Sequence, residues 1–509
     1  MPDEFDLVVV GGGINGAGIA RDAAGRGLRV LLCEQGDLAQ ATSSASTKLI
    51  HGGLRYLEYY EFRLVREALI ERERLLGLAP HLIRPMTFVL PHAPHLRPAW
   101  LIRLGLFLYD HLGGRRRLPA SGGLRFDGTG LGSALAPEFA RGFHYADCAV
   151  DDTRLVVLNA VSAREHGAEI LTRTRFVSAR RDGALWRIEL ADPAGGAGRA
   201  VTARILVNAA GPWIAEVLGA AGRQTDKQVR LIKGSHIVVP RLFDGEHAYM
   251  LQNPDRRIVF AIPYEREYTL IGTTDVPCVG PPAAVSISAE ETAYLCDSIG
   301  RYFRRQVTPR DIVWSYAGIR PLYDDAAQNA SAVTRDYVLD LDRAAGTAPL
   351  LSVFGGKITT YRRLAEHALE KLAPFLPAAG KPWTATEPLP GGDIAQRDFD
   401  RFLAGLKLRY PFLPPNLAER LARAYGTRVL RILDLATSLA DLGPDFGGGL
   451  HRAELDFLVS QEWARTAEDV LWRRSKLGLH VPPGAEAKIA AYLAGPAIRA
   501  AMPVEEGSV

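Results

Sequence analysis

The sequence has little of what marks several common classes of protein. Its 509 residues include only four cysteines, Cys33, Cys148, Cys278 and Cys296, and none of them forms a Cys-x-x-Cys pair. This argues against a thiolate metal site or a disulfide framework and indicates a reducing compartment. No apolar stretch reaches the ~20 residues of a membrane-spanning helix. No internal repeat of fixed period is present.

The charge is also nearly balanced, with 61 basic and 57 acidic residues and a net charge of +4. This balance argues against a nucleic-acid-binding protein, although a local basic patch can still contact a membrane. A hydrophobic content of 47% predicts large cores, and the chain length predicts two or more domains. Because no signal-peptide pattern precedes the first predicted strand, we expect a cytoplasmic location.

The first positive signal is a dinucleotide-binding pattern at the start of the chain. An apolar strand (5–10) is followed by Gly11, Gly13 and Gly16 and then by a helical run. These glycines allow a tight turn, and the helix N-terminus then points at a pyrophosphate. The next strand ends at Glu34, whose carboxylate can accept both hydroxyls of an adenosine ribose.

The same strand–glycine–helix pattern returns at 204–213 and at 350–360. Three such units spread over about 350 residues fit one extended cofactor, FAD, better than NAD. Between the first two units, Ser43, Ser46 and Thr47 offer hydroxyls to the phosphates and ribityl chain, and residues 48–50 are predicted to run along the isoalloxazine. A helix N-terminus at the last glycine turn is predicted to face the flavin pyrimidine.

Hydrophobic periodicity predicts the elements between and after these units. We expect helices at 57–79, 155–166 and 361–371, strands at 168–171, 175–180 and 185–190, and an antiparallel sheet from 235–239, 257–262 and 268–272. Prolines predict an extended loop at 80–98, where His92 and His95 lack a third nearby ligand, so we predict no metal site. Beyond residue 388 the sequence is largely helical.

Residues 100–109 form the longest nearly apolar run, and cations flank it on both sides. Two interpretations are open. One is a surface helix at an anionic bilayer. The other, which we slightly favour, is a core helix followed by the basic loop of Arg115, Arg116 and Arg117.

Four cations point to an anionic substrate beside the flavin. Arg55 and Lys357 directly adjoin the segments assigned to FAD, and Arg320 and Arg335 lie in the segments 317–321 and 334–337. Guanidinium groups bind phosphate through paired hydrogen bonds, and lysine adds a point charge. This combination predicts a pocket for a dianion.

Motifs at 8–20, 41–57, 232–238, 271–275 and 351–362, with Leu-Pro-Gly-Gly at 389–392, resemble one family. It is the family of FAD-dependent, aerobic glycerol-3-phosphate dehydrogenases in the D-amino-acid-oxidase-like flavoprotein superfamily. The resemblance covers essentially the whole chain. It implies an α/β fold in which a glutathione-reductase-type, Rossmann-like FAD domain is interleaved with an antiparallel substrate sheet, followed by an all-α C-terminal cap. The implied domains are 1–387, with the substrate part at roughly 55–150 and 230–340, and 388–509.

The resemblance also implies an activity and partners. The implied reaction is oxidation of sn-glycerol 3-phosphate to dihydroxyacetone phosphate with non-covalent FAD, and the implied electron acceptor is a membrane quinone. The implied protein is a homodimer attached peripherally, through an anionic phospholipid surface, to the cytoplasmic face of the inner membrane. We expect no nucleic-acid partner.

The same motifs provide candidate site residues. We predict His236 as the base, with His51 as the second candidate, and we expect Arg320 and Lys357 to polarise the C2 oxygen. The predicted substrate-binding residues are Arg55, Tyr56, Thr274, Arg320, Arg335 and Lys357. The predicted cofactor-binding residues are Gly11, Gly13, Asn15, Gly16, Glu34, Thr42, Ser43, Ser46, Lys48, Leu49, His51, Val177, Ala209, Gly211, Trp213, Gly355, Gly356 and Thr359.

Three alternatives remain open on the sequence. The first is an amine or amino-acid oxidase of the same superfamily, in which Arg320 would hold a carboxylate. The second is a glycerol-3-phosphate oxidase that passes electrons to oxygen. The third is a flavin-dependent membrane-binding or assembly protein that has lost catalysis.

Overall fold

The computed structural model describes residues 3–93, 96–114, 117–196, 198–223, 227–278, 280, 282, 285–324, 336–343 and 346–496. The strands are β1 Asp3–Val10, β2 Val30–Cys33, β3 Leu49–Ile50, β4 Ile83–Pro91, β5 Gly122–Arg125, β6 Arg141–Val150, β7 Glu169–Leu171, β8 Arg175–Asp182, β9 Leu185–Ala191, β10 Arg199–Asn208, β11 Val229–Pro240, β12 Ala248–Gln252, β13 Ile258–Tyr264, β14 Tyr268–Gly272, β15 Val276–Pro277, β16 Trp314–Tyr323, β17 Val338–Asp342 and β18 Leu350–Phe354. The helices are α1 Ile14–Gly25, α2 Phe62–Leu78, α3 Ala99–Leu112, α4 Asp152–Glu165, α5 Ile214–Ala220, α6 Ala289–Gly300, α7 Tyr361–Leu372, α8 Phe399–Arg409, α9 Pro415–Tyr425, α10 Val429–Leu433, α11 Arg452–Glu462 and α12 Ala485–Leu493.

The first sheet brings the three glycine turns to one edge. Its order is β17-β18-β10-β1-β2-β7, with β9 and β8 added beside β10. The pairs β10–β18, β1–β10, β1–β2 and β2–β7 are parallel. Because parallel strands end at the same edge, the turns after β1, β10 and β18 lie together, as expected for a single extended cofactor. The apolar strands are buried against α1, α4 and α7.

The second sheet forms the wall opposite these turns. Its order is β15-β11-β14-β13-β12-β4-β6-β3, with β16 beside β11 and β5 beside β6. The predicted antiparallel pairing of β11, β13 and β14 is confirmed. One pair, β12–β4, is parallel, and it joins only two residues of each strand.

Two predictions of local structure are wrong. The segment 80–98 is not one continuous loop, because β4 occupies Ile83–Pro91 and pairs along its whole length with β6. His95 lies outside the described residues. Pro85 and Pro91 are tolerated because β12 pairs with β4 only at Phe88 and Val89, so neither proline has to donate on that side. The helix predicted at 57–79 begins at Phe62, after a 3-10 turn at Leu54–Tyr59.

The residues after 388 build a core of their own. α8, α9, α10, α11 and α12 enclose a cluster of buried apolar side chains drawn entirely from residues 394–493. The division of the chain near 388 stays a prediction. We call the segment 394–493 the C-terminal helical unit.

Helix α3 lies at the surface, so the core-helix interpretation of 100–109 is wrong. Only Leu106 and Tyr109 are buried on it. Trp100 is 69% exposed and Phe107 is 51% exposed. In the described part of the chain, no helix is long and apolar enough to cross a membrane.

Candidate active site

The first glycine turn is built for close approach of a ligand to the backbone. Gly11 has φ +114°, and a Cβ there would lie 2.6 Å from the Ala209 carbonyl oxygen. A Cβ at Gly16 would lie 1.9 Å from the Gly11 carbonyl oxygen. Any side chain at either position would therefore push the turn apart, which is why the sequence pattern requires glycine.

Glu34 closes this turn from the end of β2. Its carboxylate accepts hydrogen bonds from Gly12 N at 2.7 Å and Gly36 N at 2.8 Å. Burial raises the pKa of Glu34, and these two donors oppose the rise. Each oxygen keeps a second lone pair, which is the acceptor that a ribose hydroxyl needs.

The last glycine turn contacts the first. Asn15 at the start of α1 donates through Nδ2 to the Gly355 carbonyl oxygen at 3.1 Å. Gly356 has φ +100°, and a Cβ there would lie 2.7 Å from Asn15 Nδ2. Ala209, Gly211 and the half-buried Trp213 follow β10, next to the end of β1. These predicted cofactor residues therefore share one edge of the sheet.

A cavity of about 280 Å³ lies between this edge and the second sheet. Twelve of the predicted site residues line it: Thr42, Ser43, Ser46, Leu49, His51, Arg55, Tyr56, His236, Arg320, Gly356, Lys357 and Thr359. Several other lining residues were not predicted: Tyr145, Met250, Ile258, Phe260, Thr273 and Asp275. Of these, Thr273 and Asp275 belong to the 271–275 motif, which was the signal that could have identified them.

His236 is held on three sides. It lies on β11, and its Nε2 is 3.1 Å from Thr47 Oγ1. The ring of Tyr316 stacks on it with centroids 4.7 Å apart and planes at 15°. A Cβ at Gly272 on the neighbouring β14 would lie 2.1 Å from His236 Cδ2. Among the described residues, the ring's Nδ1 has no hydrogen-bond partner.

Both candidate histidines are held neutral. Burial, with Lys48 and Arg320 nearby, lowers the pKa of His236 well below its usual value. Burial also lowers the pKa of His51, and Asp147 partly opposes this. A neutral imidazole has the free lone pair that a proton acceptor needs.

Three of the four predicted cations line the cavity. Arg320 Nη1 donates to Asp275 Oδ1 at 2.5 Å, and its Nη2 donates to Thr274 O at 2.7 Å. Lys357 Nζ lies 3.9 Å from the centroid of the Tyr56 ring. Arg55 lies in the same cavity wall. Arg335 lies outside the described residues.

Two predicted assignments do not match the side-chain positions. Thr274 is wholly buried behind the wall, where its Oγ1 accepts from Ser235 N and donates to Glu291, so its neighbour Thr273 faces the cavity instead. The side chain of Lys48 is buried against Asp152 and does not reach the cavity. Val177 is 42% exposed on β8, and its assignment as a cofactor residue stays a prediction.

No group of three or more histidine, cysteine, aspartate or glutamate side chains that could hold a metal ion occurs in the part of the chain that the structure covers.

Comparisons with known proteins match this architecture. Residues 6–362 match the model of the FAD dependent oxidoreductase family, and residues 382–494 match the C-terminal domain of alpha-glycerophosphate oxidase. A glycerol-3-phosphate dehydrogenase from Pseudomonas aeruginosa is 59% identical, over 97% of this chain and 96% of that protein. An aerobic glycerol-3-phosphate dehydrogenase from Escherichia coli is 55% identical, over 96% and 97%.

Two further similarities bear on substrate and cofactor. A D-erythritol 1-phosphate dehydrogenase from Brucella abortus is 53% identical, over 97% of both chains. The crystal structure of a glycerol-3-phosphate dehydrogenase from Bacillus halodurans complexed with FAD superposes with a TM-score of 0.73 at 28% identity, over 93% of this chain and 86% of that one.

Proposed function

Because this chain belongs to the FAD-dependent oxidoreductase family and, within it, groups with the glycerol-3-phosphate dehydrogenases, we propose that it oxidises sn-glycerol 3-phosphate to dihydroxyacetone phosphate. One observation carries the proposal. Arg55, Arg320, Lys357 and the neutral His236 line a single cavity beside the glycine turns. Such a cavity offers a dianion site and a proton acceptor next to the cofactor.

The residues present fit FAD, the cofactor of this family. The turn at Gly11 and Gly16 leaves no room for side chains, as close approach of a pyrophosphate requires. Glu34 is the proposed ribose acceptor, and Ser43 lines the cavity as a hydroxyl donor, whereas the Ser46 hydroxyl donates to Asp152. When bound, FAD supplies a two-electron acceptor for the hydride on substrate C2.

The protein side chains then bind the substrate and move one proton. Arg320 is oriented by Asp275 and by the Thr274 carbonyl, so its guanidinium is preorganised for an oxyanion. We assign the phosphate to Arg55, Arg320 and Lys357. His236 takes the proton of the C2 hydroxyl, and Thr47 and the stacked Tyr316 fix its ring.

The test is anaerobic bleaching of the bound flavin. Addition of sn-glycerol 3-phosphate to the holoenzyme is expected to bleach the flavin absorbance within seconds. An unchanged spectrum would refute the proposal and favour a non-catalytic flavoprotein. Glycine and sarcosine serve as controls for the amine or amino-acid oxidase alternative, because bleaching by either would assign Arg320 to a carboxylate.

The D-erythritol 1-phosphate dehydrogenase relative supports a second candidate substrate. Both compounds are polyol phosphates, so the cation cluster alone does not separate them. Competition between the two phosphates decides. A kcat/KM for D-erythritol 1-phosphate above that for glycerol 3-phosphate would reassign the substrate and leave the reaction class unchanged.

We propose a membrane quinone as the electron acceptor. The alternative acceptor is oxygen, and the match of residues 382–494 to a glycerophosphate oxidase domain is consistent with it. Stopped-flow reoxidation of the reduced enzyme separates them: a soluble quinone analogue is expected to reoxidise it at least 100 times faster than air-saturated buffer. Rapid peroxide formation would contradict the quinone assignment.

We propose peripheral membrane attachment through an aromatic patch. Large apolar side chains are exposed on α3, at the end of the turn 54–59 beside it and at the start of α2: Tyr59, Tyr60, Phe62, Trp100, Leu104 and Phe107. Arg97 Nε lies 3.5 Å from Glu58 Oε1, which joins the start of α3 to that turn. An aromatic surface of this kind suits insertion at the interface of a bilayer.

Vesicle sedimentation tests the patch. Wild type is expected to sediment with anionic phospholipid vesicles, and Trp100→Glu with Phe107→Glu is expected to remain in the supernatant. The matched control is Leu408→Glu with Leu435→Glu, which changes exposed leucines in the C-terminal helical unit. Equal recovery of both double variants would refute the proposed role of the patch.

The predicted homodimer is tested by light scattering of the same proteins in the absence of vesicles.

A further inference from the structure

Lys476 is a buried cation that joins the C-terminal helical unit to the start of α4. Its side chain is 3% exposed, and its Nζ donates to Thr153 Oγ1 at 2.8 Å. Thr153 in turn makes two further hydrogen bonds, one to each of two neighbouring aspartates. Its hydroxyl donates to Asp151 Oδ1 at 2.7 Å, and its backbone N–H donates to Asp152 Oδ1 at 2.9 Å.

Asp152 in turn holds the segment 46–48 in place. Its carboxylate accepts from Ser46 Oγ at 2.7 Å and from Lys48 Nζ at 2.9 Å on each oxygen. Lys48 has φ +59°, a conformation that costs free energy in a non-glycine residue and persists only where surrounding contacts enforce it. The contacts to Asp152 enforce it here, together with hydrogen bonds from Lys48 N to Ser46 Oγ at 2.9 Å and from Lys48 Nζ to Ser44 O at 3.0 Å.

The segment 46–48 is what positions His236. Thr47 lies between the two residues that Asp152 holds, and its Oγ1 is 3.1 Å from His236 Nε2. The Ser46 carbonyl oxygen accepts from Tyr316 OH at 2.8 Å, and the Tyr316 ring stacks on the His236 ring. A shift of this segment therefore moves both neighbours of the imidazole.

A second route reaches His236 from the same part of the C-terminal helical unit. Trp472, whose carbonyl oxygen accepts from Lys476 Nζ, stacks on Trp314 with centroids 4.4 Å apart and planes at 22°. The ring centroids of Trp314 and Tyr316 are 5.1 Å apart, and the Tyr316 ring stacks on His236. Four rings thus run without a gap from the C-terminal helical unit to the cavity.

We propose that Lys476 and Trp472 are positioning residues for the dehydrogenation: from the C-terminal helical unit they hold segment 46–48 and the His236 ring in the geometry that proton transfer needs. This rests on the proposed function, because it takes His236 as the proton acceptor. The C-terminal helical unit is then part of the catalytic apparatus without contributing a residue that lines the cavity.

The test compares Lys476→Met and Trp472→Leu with the control Arg164→Met. Arg164 joins the same two parts of the chain, because its Nη2 donates to Gln461 O at 2.8 Å and its guanidinium lies over Trp463 at 4.4 Å, but it contacts nothing in 46–48. The assay is the rate of anaerobic flavin bleaching per bound FAD at saturating glycerol 3-phosphate. We expect both test variants to be slowed about tenfold or more, because small displacements of reacting groups are costly.

The pH profile supplies a readout that lost stability does not move. Loosened packing admits water to His236, so its pKa rises toward the usual value and the acid limb of the bleaching rate moves to higher pH. Arg164→Met is expected to lower Tm while leaving rate and profile at wild type. Trp472→Phe keeps a stacking ring and is expected to stay within about twofold of wild type.

Two results would overturn the proposal. One is a Tm loss in all variants with bleaching per bound FAD unchanged, which would make the contacts merely structural. The other is a histidine NMR titration of the holoenzymes in which His236 titrates alike in wild type, Lys476→Met and Trp472→Leu. The titration needs no turnover, so it tests whether Lys476 and Trp472 position His236 even if glycerol 3-phosphate does not bleach the wild-type flavin. Absence of bleaching would refute the proposed function and not these positioning contacts. Trp472→Leu keeps the buried cation, so the test survives a Lys476 variant that does not fold.

Discussion

The fit between Gly272 and His236 provides the sharpest single test of the site. An alanine Cβ at Gly272 would lie 2.1 Å from His236 Cδ2 and 2.7 Å from its Nε2. Ordinary carbon contacts begin near 3.4 Å, so the imidazole would have to retreat by more than about 1 Å. Tyr316 stacked on its face and Thr47 at Nε2 block that retreat.

The expected cost can be divided between stability and rate. Overpacking of one methyl group into a rigid site destabilises by about 1–3 kcal/mol, and a misplacement of about 1 Å costs up to about 100-fold in rate. We therefore expect Gly272→Ala to fold and to bind FAD, and to bleach its flavin 10- to 100-fold more slowly in anaerobic stopped-flow experiments.

A matched control is Gly405→Ala. Gly405 lies in α8, and a Cβ there meets nothing within 4 Å. Alanine there is expected to leave the rate unchanged and to stabilise the helix by about 0.5–1 kcal/mol. If Gly272→Ala reduced its flavin at the wild-type rate, the placement of His236 would not matter to the reaction, and the reasoning would fail.

Three further predictions follow from the same contacts. Arg320→Met removes the guanidinium that Asp275 orients, so KM for glycerol 3-phosphate in steady-state assays is expected to rise at least 100-fold; a KM within threefold of wild type would contradict the phosphate assignment. Tyr109→Phe removes the hydroxyl that accepts from Gly52 N at 2.8 Å and donates to Asp147, so denaturant unfolding is expected to show a loss of about 1–3 kcal/mol; an unchanged midpoint would refute it. His81 is fully buried, and burial lowers its pKa to about 3, so as pH falls below about 6.5 the unfolded chain takes up a proton before the folded protein does and the free energy of unfolding should decrease toward pH 3. His81→Leu should flatten this pH dependence in melting curves, and an equal slope in wild type and variant would exclude His81 as the cause.

Local patterns were sufficient for the cofactor side of the site. The glycines at 11, 13 and 16 and the acid at 34 follow fixed offsets along one strand–turn–helix–strand unit, so their neighbours in space are also neighbours in sequence. The motif 41–57 placed seven predicted residues in the cavity wall for the same reason.

Local patterns failed where adjacent residues face opposite ways. Thr273 and Thr274 look equivalent in the sequence, but only Thr273 faces the cavity, because Thr274 bonds to Ser235 and Glu291 behind it. The motif that contains Lys48 predicts a cofactor ligand, but the Lys48 ammonium group forms an ion pair with Asp152, which is 104 residues away in the chain. The β4 strand was missed because proline, which has no N–H group, usually disfavours a strand. It is tolerated where the neighbouring strand does not require that N–H as a donor.

By itself the sequence determined the cofactor class, the three strand–glycine–helix units and twelve residues of the cavity wall, since these depend on short-range periodicity and spacing. Only the tertiary structure decided what surrounds His236. Its ring is in contact with Thr47, Gly272 and Tyr316. Trp314 packs against Tyr316 and in turn stacks on Trp472 of the C-terminal helical unit. Contacts between residues so far apart in the chain arise from packing of whole elements against each other, and no local pattern encodes them.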